Sequence, residues 1–261
     1  MDLEGPMPLL PGAEPFACDG DGVGVVLCHG FTGSPRSMRP WAEHLAAAGF
    51  AVDLPLLPGH GTTWQDMSTT TTDDWFAEVE AALLRLRDCC DQVFTMGLSM
   101  GGCLALRLAE VHPETVAGVV VVNPSLAMET RLLMFAPLLR RVLPSTRGLA
   151  GDIKKPGAVE AGYDRVPTAA AATLPKLWRA TRRDLPAITA PVLAYRSPED
   201  HVIGPQSLRI LTSRAVNAPL TVHALDDSYH VATLDNDAAT VFEGSVAFVR
   251  EHSRSGEGTK R

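Results

Sequence analysis

The chain has 261 residues, 46% hydrophobic and 20% charged, enough for one large α/β domain with a substantial core. Its formal net charge of -7 argues against nucleic acid as a partner, because phosphate binding needs a basic footprint. The first residues carry no basic segment followed by an apolar stretch, and no apolar run is long enough to span a bilayer, so a cytoplasmic location is expected.

The stretch up to Gly22 is rich in Pro and Gly and reads as an irregular lead-in. Val23 to Cys28 is a short continuous apolar run, as expected of a strand buried on both faces, and it ends at His29-Gly30-Phe31-Thr32-Gly33. A helix over Ser37 to Ala48 stops at Gly49, and Phe50 to Leu54 is the next strand. Asp73 and Asp74 place acids in the first turn of a helix running from Trp75 to Leu86. Val93 to Met96 is a strand leading into Gly97, Ser99 to His112 is helical, and Pro113 ends that helix. Val116 to Val122 is the most hydrophobic strand. Strands at Val192 to Tyr195 and Leu220 to Ala224 follow, with helices at Gln206 to Arg214 and Ala238 to Glu251 and a polar tail from Ser253. Strands alternating with helices imply a mostly parallel central sheet flanked by helices.

The alternation breaks between Ser125 and Asp184, where helical stretches are separated by Pro and Gly and no strand is evident. This region reads as an inserted helical cap over 125–186, with 1–124 and 187–261 forming the core domain. It carries eleven Lys and Arg against five Asp and Glu, an excess of about six positive charges in an acidic protein. Apolar runs at Leu132–Phe135 and Pro137–Leu139 are suited to line an acyl pocket. Such a cap is expected to take up lipid-like esters and to touch anionic lipid surfaces transiently. The five cysteines are odd in number and lack metal-ligand spacing, so no metal or cofactor is expected; Cys28 and Cys103 sit in apolar segments as core residues.

Gly97-Leu98-Ser99-Met100-Gly101 matches G-x-S-x-G and lies between a strand and a helix, the setting that holds a strained serine hydroxyl out over a helix N-terminus. A hydroxyl needs a general base beside it, and on such a turn the acid and then the His follow in chain order. His112 ends a helix, His223 lies in a strand and His252 is near the end of the last helix. His230 sits in a polar loop after the last strand, where a side chain can hang over the sheet edge. For the acid, Glu199 and Asp200 both follow the strand ending at Tyr195. Asp200 is favoured because Val202-Ile203 must turn back to the core; Asp226 and Asp227 fit the order poorly. The oxyanion donors are expected to be the backbone N–H groups of Met100 and Phe31. His29 and the Pro58-Gly59-His60-Gly61 turn are read as structural.

These motifs, with His29–Gly33, Pro58–Gly61, Asp200–Ile203 and His230–Asp235, resemble the bacterial carboxylesterase and monoacylglycerol lipase branch of the α/β-hydrolases. The resemblance implies an α/β-hydrolase fold and cofactor-free hydrolysis of carboxylic esters. The substrates it implies are short- to medium-chain acyl esters or monoacylglycerols, with Ser99, Asp200 and His230 as the triad. The same triad serves thioesterases and acyltransferases, and the fold can serve as a small-ligand receptor; turnover separates these readings.

Overall fold

The computed structural model describes residues 8–127, 143–148, 151–160 and 162–253. A seven-stranded sheet runs through the molecule in the order β1-β3-β2-β4-β5-β8-β9. Its strands are β1 (Phe16–Cys18), β2 (Val23–Cys28), β3 (Ala51–Leu54), β4 (Gln92–Leu98), β5 (Val116–Val122), β8 (Val192–Arg196) and β9 (Leu220–Ala224). β1 is antiparallel to β3; every other neighbouring pair is parallel.

The central strands are apolar throughout because both faces are covered. Along β5, Val119 and Val121 enter one core, and Val120 and Val122 enter the other. The first core is roofed by α3 (Thr72–Arg87), α4 (Met100–Val111), α6 (Leu174–Asp184) and α7 (Gln206–Arg214). The second lies under α1 (Arg39–Ala47) and α8 (Ala238–His252), where Trp41 is buried and stacks on Phe242. The start of α3 lies slightly earlier than the apolar periodicity indicates, because Asp74 accepts the backbone N–H of Thr71 and closes a capping box.

Three features depart from the sequence reading. The lead-in contains β1, which covers the outer edge of β3. A short helix, α2 (Trp64–Met67), follows the Pro58–Gly61 turn, with Thr63 as its N-cap. The 125–186 region is not wholly helical: β6 (Ser145–Arg147) and β7 (Arg165–Pro167) form an antiparallel ribbon, followed by α5 (Thr168–Ala171) and α6. Three-residue strands bounded by proline give no alternation long enough to read. The apolar runs at Leu132–Phe135 and Pro137–Leu139, and Arg131, Arg140 and Arg141, lie outside the described residues, as does the tail beyond Ser253.

The register brings the carboxyl ends of the strands together. Cys28 pairs with Gly97, Leu98 with Val122, Val122 with Tyr195, and Arg196 with Ala224. The chain turns in opposite directions after β2 and β4, so a crevice opens beyond their ends, where open α/β sheets take their ligands.

Candidate active site

Ser99 follows β4 directly and starts α4 with φ 58° and ψ -118°, a backbone conformation that a side chain adopts only under strain. Its neighbours explain how it is held. A Cβ on Gly97 would stand 2.2 Å from the Gly101 carbonyl oxygen, and one on Gly101 would stand 1.9 Å from that of Cys28. Only glycine permits these backbone approaches. The Ser99 N–H donates to Val122 O at 2.9 Å, and Ser99 O accepts from Ser125 N at 3.0 Å and Cys103 N at 3.2 Å. Ser99 is 9% exposed. Met100 opens α4, so its amide belongs to the first turn, where N–H groups have no partner within the helix.

The loop after β2 lies against this turn. A Cβ on Gly30 would be 3.6 Å from Ser99 Cβ, and Gly33 N donates back to Gly30 O at 3.2 Å. Phe31 packs edge-on against Trp75, with ring centroids 5.6 Å apart. His29 is fully buried. Its Nε2 accepts from Leu57 N at 3.2 Å, which leaves the proton on Nδ1 to be donated to Gly30 O at 3.0 Å. His60 stacks edge-on to His29 at 5.0 Å, and Gly59 and Gly61 flank it with φ of 74° and 69°. Both rings therefore brace the loop, as the sequence reading has it.

Asp200 and His230 are brought together. His230 Nδ1 lies 2.9 Å from Asp200 Oδ2, with the Asp200 side chain 0% exposed and that of His230 9%. Asp200 Oδ1 accepts from Val202 N and Ile203 N, both at 2.8 Å, and Arg196 Nη1 donates to Oδ2 at 2.6 Å. Burial pushes the Asp200 carboxyl up. The hydrogen bond and charge of His230, with the Ile203 and Val202 amides, outweigh it and hold the group below its ordinary range. Glu199 instead points outward to Lys154, as does Asp227, each at 3.3 Å.

Two polar residues to which the sequence analysis gave no role hold these loops. Asn123, fully buried with φ 44°, follows β5 immediately. Its Nδ2 donates to His230 O at 2.9 Å and Ser197 Oγ at 3.0 Å, while its Oδ1 accepts from Ser197 N at 2.8 Å. Val122, which anchors Ser99, precedes it, so the Ser99 turn and the His230 loop hang from the last residue of β5 and the one after it. Asp235 accepts from Tyr229 N at 2.9 Å and from Lys154 N and Lys155 N at 2.8 Å each. Asn123 could have been noticed as the polar residue that follows the most apolar strand; Asp235 closes the His230–Asp235 motif, where nothing local marks what it holds.

The inserted region borders the crevice through Glu160 and Tyr163. Glu160 Oε2 accepts from Gly151 N at 3.1 Å, and Oε1 is 3.4 Å from where a Gly33 Cβ would stand. Burial pushes the Glu160 carboxyl above its ordinary range, against the opposing effects of the Gly151 amide and the nearby His230. Tyr163 donates to Gly59 O at 2.9 Å, and its N–H donates to Thr32 O at 3.0 Å. Much of the region's basic charge meets a partner: Lys176 pairs with Asp73, Arg183 with Asp184 and Lys154 with Glu199 and Asp227, while Arg165 lies over the Trp64 ring. Among the described residues no group of three or more His, Cys, Asp or Glu is arranged to hold a metal, and no helix is long and apolar enough to cross a membrane.

Residues 23–237 match the model of the serine aminopeptidase S33 family. The chain belongs to that family. It is 41% identical to a thermostable monoacylglycerol lipase of Bacillus sp. (strain H-257), over 94% of this chain and 98% of the relative. A carboxylesterase of Bacillus subtilis (strain 168) is 24% identical over 91% of this chain and 96% of the relative. Among solved structures, one from the metagenome-derived lipolytic enzymes LipS and LipT superposes with a TM-score of 0.91 at 40% identity, covering 94% of this chain and 100% of that one. The S33 fold here is the α/β-hydrolase fold.

The buried His29 ties the S33 chain's stability to pH. Burial pushes the ring down to about 4 from its ordinary 6.5, so below 6.5 the unfolded chain binds a proton that the native ring refuses. Stability should fall as pH drops from about 6.5 to about 4, by about 3 kcal/mol from this group, and level off below. Urea unfolding at several pH values should show a shallower decline in His29→Asn than in the wild type. Equal slopes would mean that the native ring takes up the proton.

Proposed function

We propose that the protein is a serine carboxylic-ester hydrolase that turns over short- to medium-chain acyl esters or monoacylglycerols through an acyl-enzyme on Ser99. The observation that carries this reading is the buried Asp200–His230 pair at the same sheet edge as the strained Ser99. The lipolytic relatives at 40% identity and above support it.

Ser99 Oγ attacks the ester carbonyl and its proton passes to His230 Nε2. The Nδ1–H of His230 remains on Asp200, which fixes the tautomer and stabilises the imidazolium. The N–H groups of Met100 and Phe31 receive the oxyanion, helped by the positive end of the α4 dipole. Collapse breaks the bond to the alcohol, whose oxygen takes the proton from His230. A water then enters, gives a proton to the same imidazole and releases the acid as Ser99 regains its hydrogen.

Glu160 bears on leaving-group recognition. Its carboxyl lies beside the Gly30–Gly33 loop, where its oxygens can meet the hydroxyls of a polyol leaving group. The region 125–186 serves as the cap that sets this leaving-group and acyl preference. The cysteines are all free thiols, in keeping with a cytoplasmic enzyme.

Purified protein should hydrolyse p-nitrophenyl esters with a maximum at short to medium acyl length. Ser99→Ala should leave only the residual rate that binding and the oxyanion donors supply. Unchanged turnover in that variant would sink the mechanism, and thioester turnover without ester turnover would move the substrate class. Glu160→Ala should raise KM for monoacylglycerols by about three- to tenfold, the worth of one hydrogen bond, and leave p-nitrophenyl esters unaffected. Equal effects on both substrates would remove Glu160 from leaving-group recognition.

A further inference from the structure

We propose that Asp152, a residue of the inserted region, is the positioning residue that sets the distance between the acid and base loops, so that the cap completes the triad as well as covering it. The inference rests on the ester-hydrolase reading above. It goes beyond it by giving a residue outside the triad control of the triad's geometry.

The acid and the base sit on loops that leave different strands, β8 and β9. Sheet pairing aligns those strands only as far as Arg196 and Ala224. From there the chain runs four residues to Asp200 and six to His230, with no ladder between the two loops. Asp152 bridges them. Its Oδ2 accepts the backbone N–H of His201, the residue after the acid, and the backbone N–H of His230 itself, each at 3.1 Å. Its Oδ1 meets His201 Nδ1 at 2.8 Å, and its carbonyl oxygen accepts from Val231 N at 3.1 Å. One residue therefore ties down the neighbours of both partners.

The surrounding contacts hold Asp152 in place. Lys154 N and Lys155 N are fixed by Asp235, which also takes Tyr229 N from the base loop. Lys154 Nζ reaches Glu199 on the acid loop and Asp227 on the base loop, and lies 5.6 Å over the Tyr229 ring. His201 stacks edge-on against the same ring at 4.6 Å. The segment is thus strapped across both loops, and a few residues on, Glu160 borders the oxyanion loop. A substrate that seats this segment also seats the loops that carry Asp200 and His230.

The side-chain chemistry separates two substitutions. Asparagine places an oxygen where Oδ2 accepts both N–H groups, and its amide can donate to His201 Nδ1 once that ring carries its proton on Nε2. Alanine leaves both amides without the carboxylate. A displacement of an ångström in a reacting group costs up to about a hundredfold in rate.

The test measures kcat and KM on p-nitrophenyl butyrate for wild type, Asp152→Ala, Asp152→Asn, His201→Ala and Ser99→Ala, with the far-downfield proton NMR signal of the His230 Nδ1–H recorded for each. Asp152→Ala should lose about ten- to a hundredfold in kcat with KM within twofold, and should lose or shift the downfield signal. Asp152→Asn should recover most of the rate and the signal. His201→Ala, which keeps both backbone bonds, should stay within about threefold of wild type. Should the alanine variant fail to fold, Asp152→Glu, with its carboxylate displaced by one methylene, should fold and show the same loss.

A kcat within twofold of wild type in Asp152→Ala, or in Asp152→Glu where it stands in, overturns the proposal. So does a rise confined to KM, which would make the segment a substrate wall alone, and so does a failure of Asp152→Asn to recover. Ser99→Ala active, or wild type inactive on esters, strikes the ester-hydrolase reading instead. The downfield signal still reads Asp152's role in that case, because it needs no turnover.

Discussion

The left-handed backbone of Ser99 is possible only where three stretches of main chain press together without side chains. Gly97 faces the Gly101 carbonyl, and Gly101 faces the end of β2 at Cys28 O, each at a distance no Cβ could occupy. This contact fixes the start of α4 over the crevice beside β2. It therefore explains why the Gly30–Gly33 loop must lie beside Ser99. The conformational strain, about 1–3 kcal/mol for such a residue, is offset by the bonds from Ser99 to Val122, Ser125 and Cys103.

A different kind of force organises the acid–base half. Arg196 and Asp200 are both nearly removed from water, which is costly for each charge alone. They are tolerable together because the buried groups of the cluster share hydrogen bonds with one another and with the backbone. Arg196 donates to Asp200, to Asn123 Oδ1 at 3.2 Å and to Ile203 O at 2.6 Å, and Asn123 in turn holds Ser197 and His230. A network satisfied to this degree admits few alternative arrangements, since moving any member strands a buried donor or acceptor. The ionised Asp200 and the single orientation of the His230 ring are outcomes of that network as a whole.

The sheet, its flanking helices and the triad candidates were legible because each leaves a local mark. Buried parallel strands read as continuous apolar runs, helix ends carry capping residues, and G-x-S-x-G sits at a strand–helix junction. The choice of Asp200 over Glu199 followed from the apolar pair Val202-Ile203, whose amides do bond to Asp200. What stayed hidden depends on distant partners or very short pieces. β1 is three residues long and gains its strand character from β3; β6 and β7 exist only as each other's partner. Asn123, Asp152 and Asp235 act through bonds to residues far away in the chain, so the sequence around them does not reveal what they hold.

The two halves of the site are thus held by unlike means, and the sheet explains the division. β2, β4 and β5 are central, covered on both faces and locked by register, so backbone contact alone can align Ser99 with the Gly30–Gly33 loop. β9 is an edge strand whose residues from Thr221 to Ala224 are exposed, so the loop carrying His230 is anchored by its own buried residues Leu225, Val231 and Ala232, with no second neighbouring strand to align it. Side-chain hydrogen bonds from Asn123, Asp152 and Asp235 supply what the edge of the sheet lacks. Such bonds depend on the position of polar atoms more than on the absence of a Cβ. The Ser99 side should therefore reject a methyl at Gly97 or Gly101, while the Asp200–His230 side accepts changes that keep an acceptor in place.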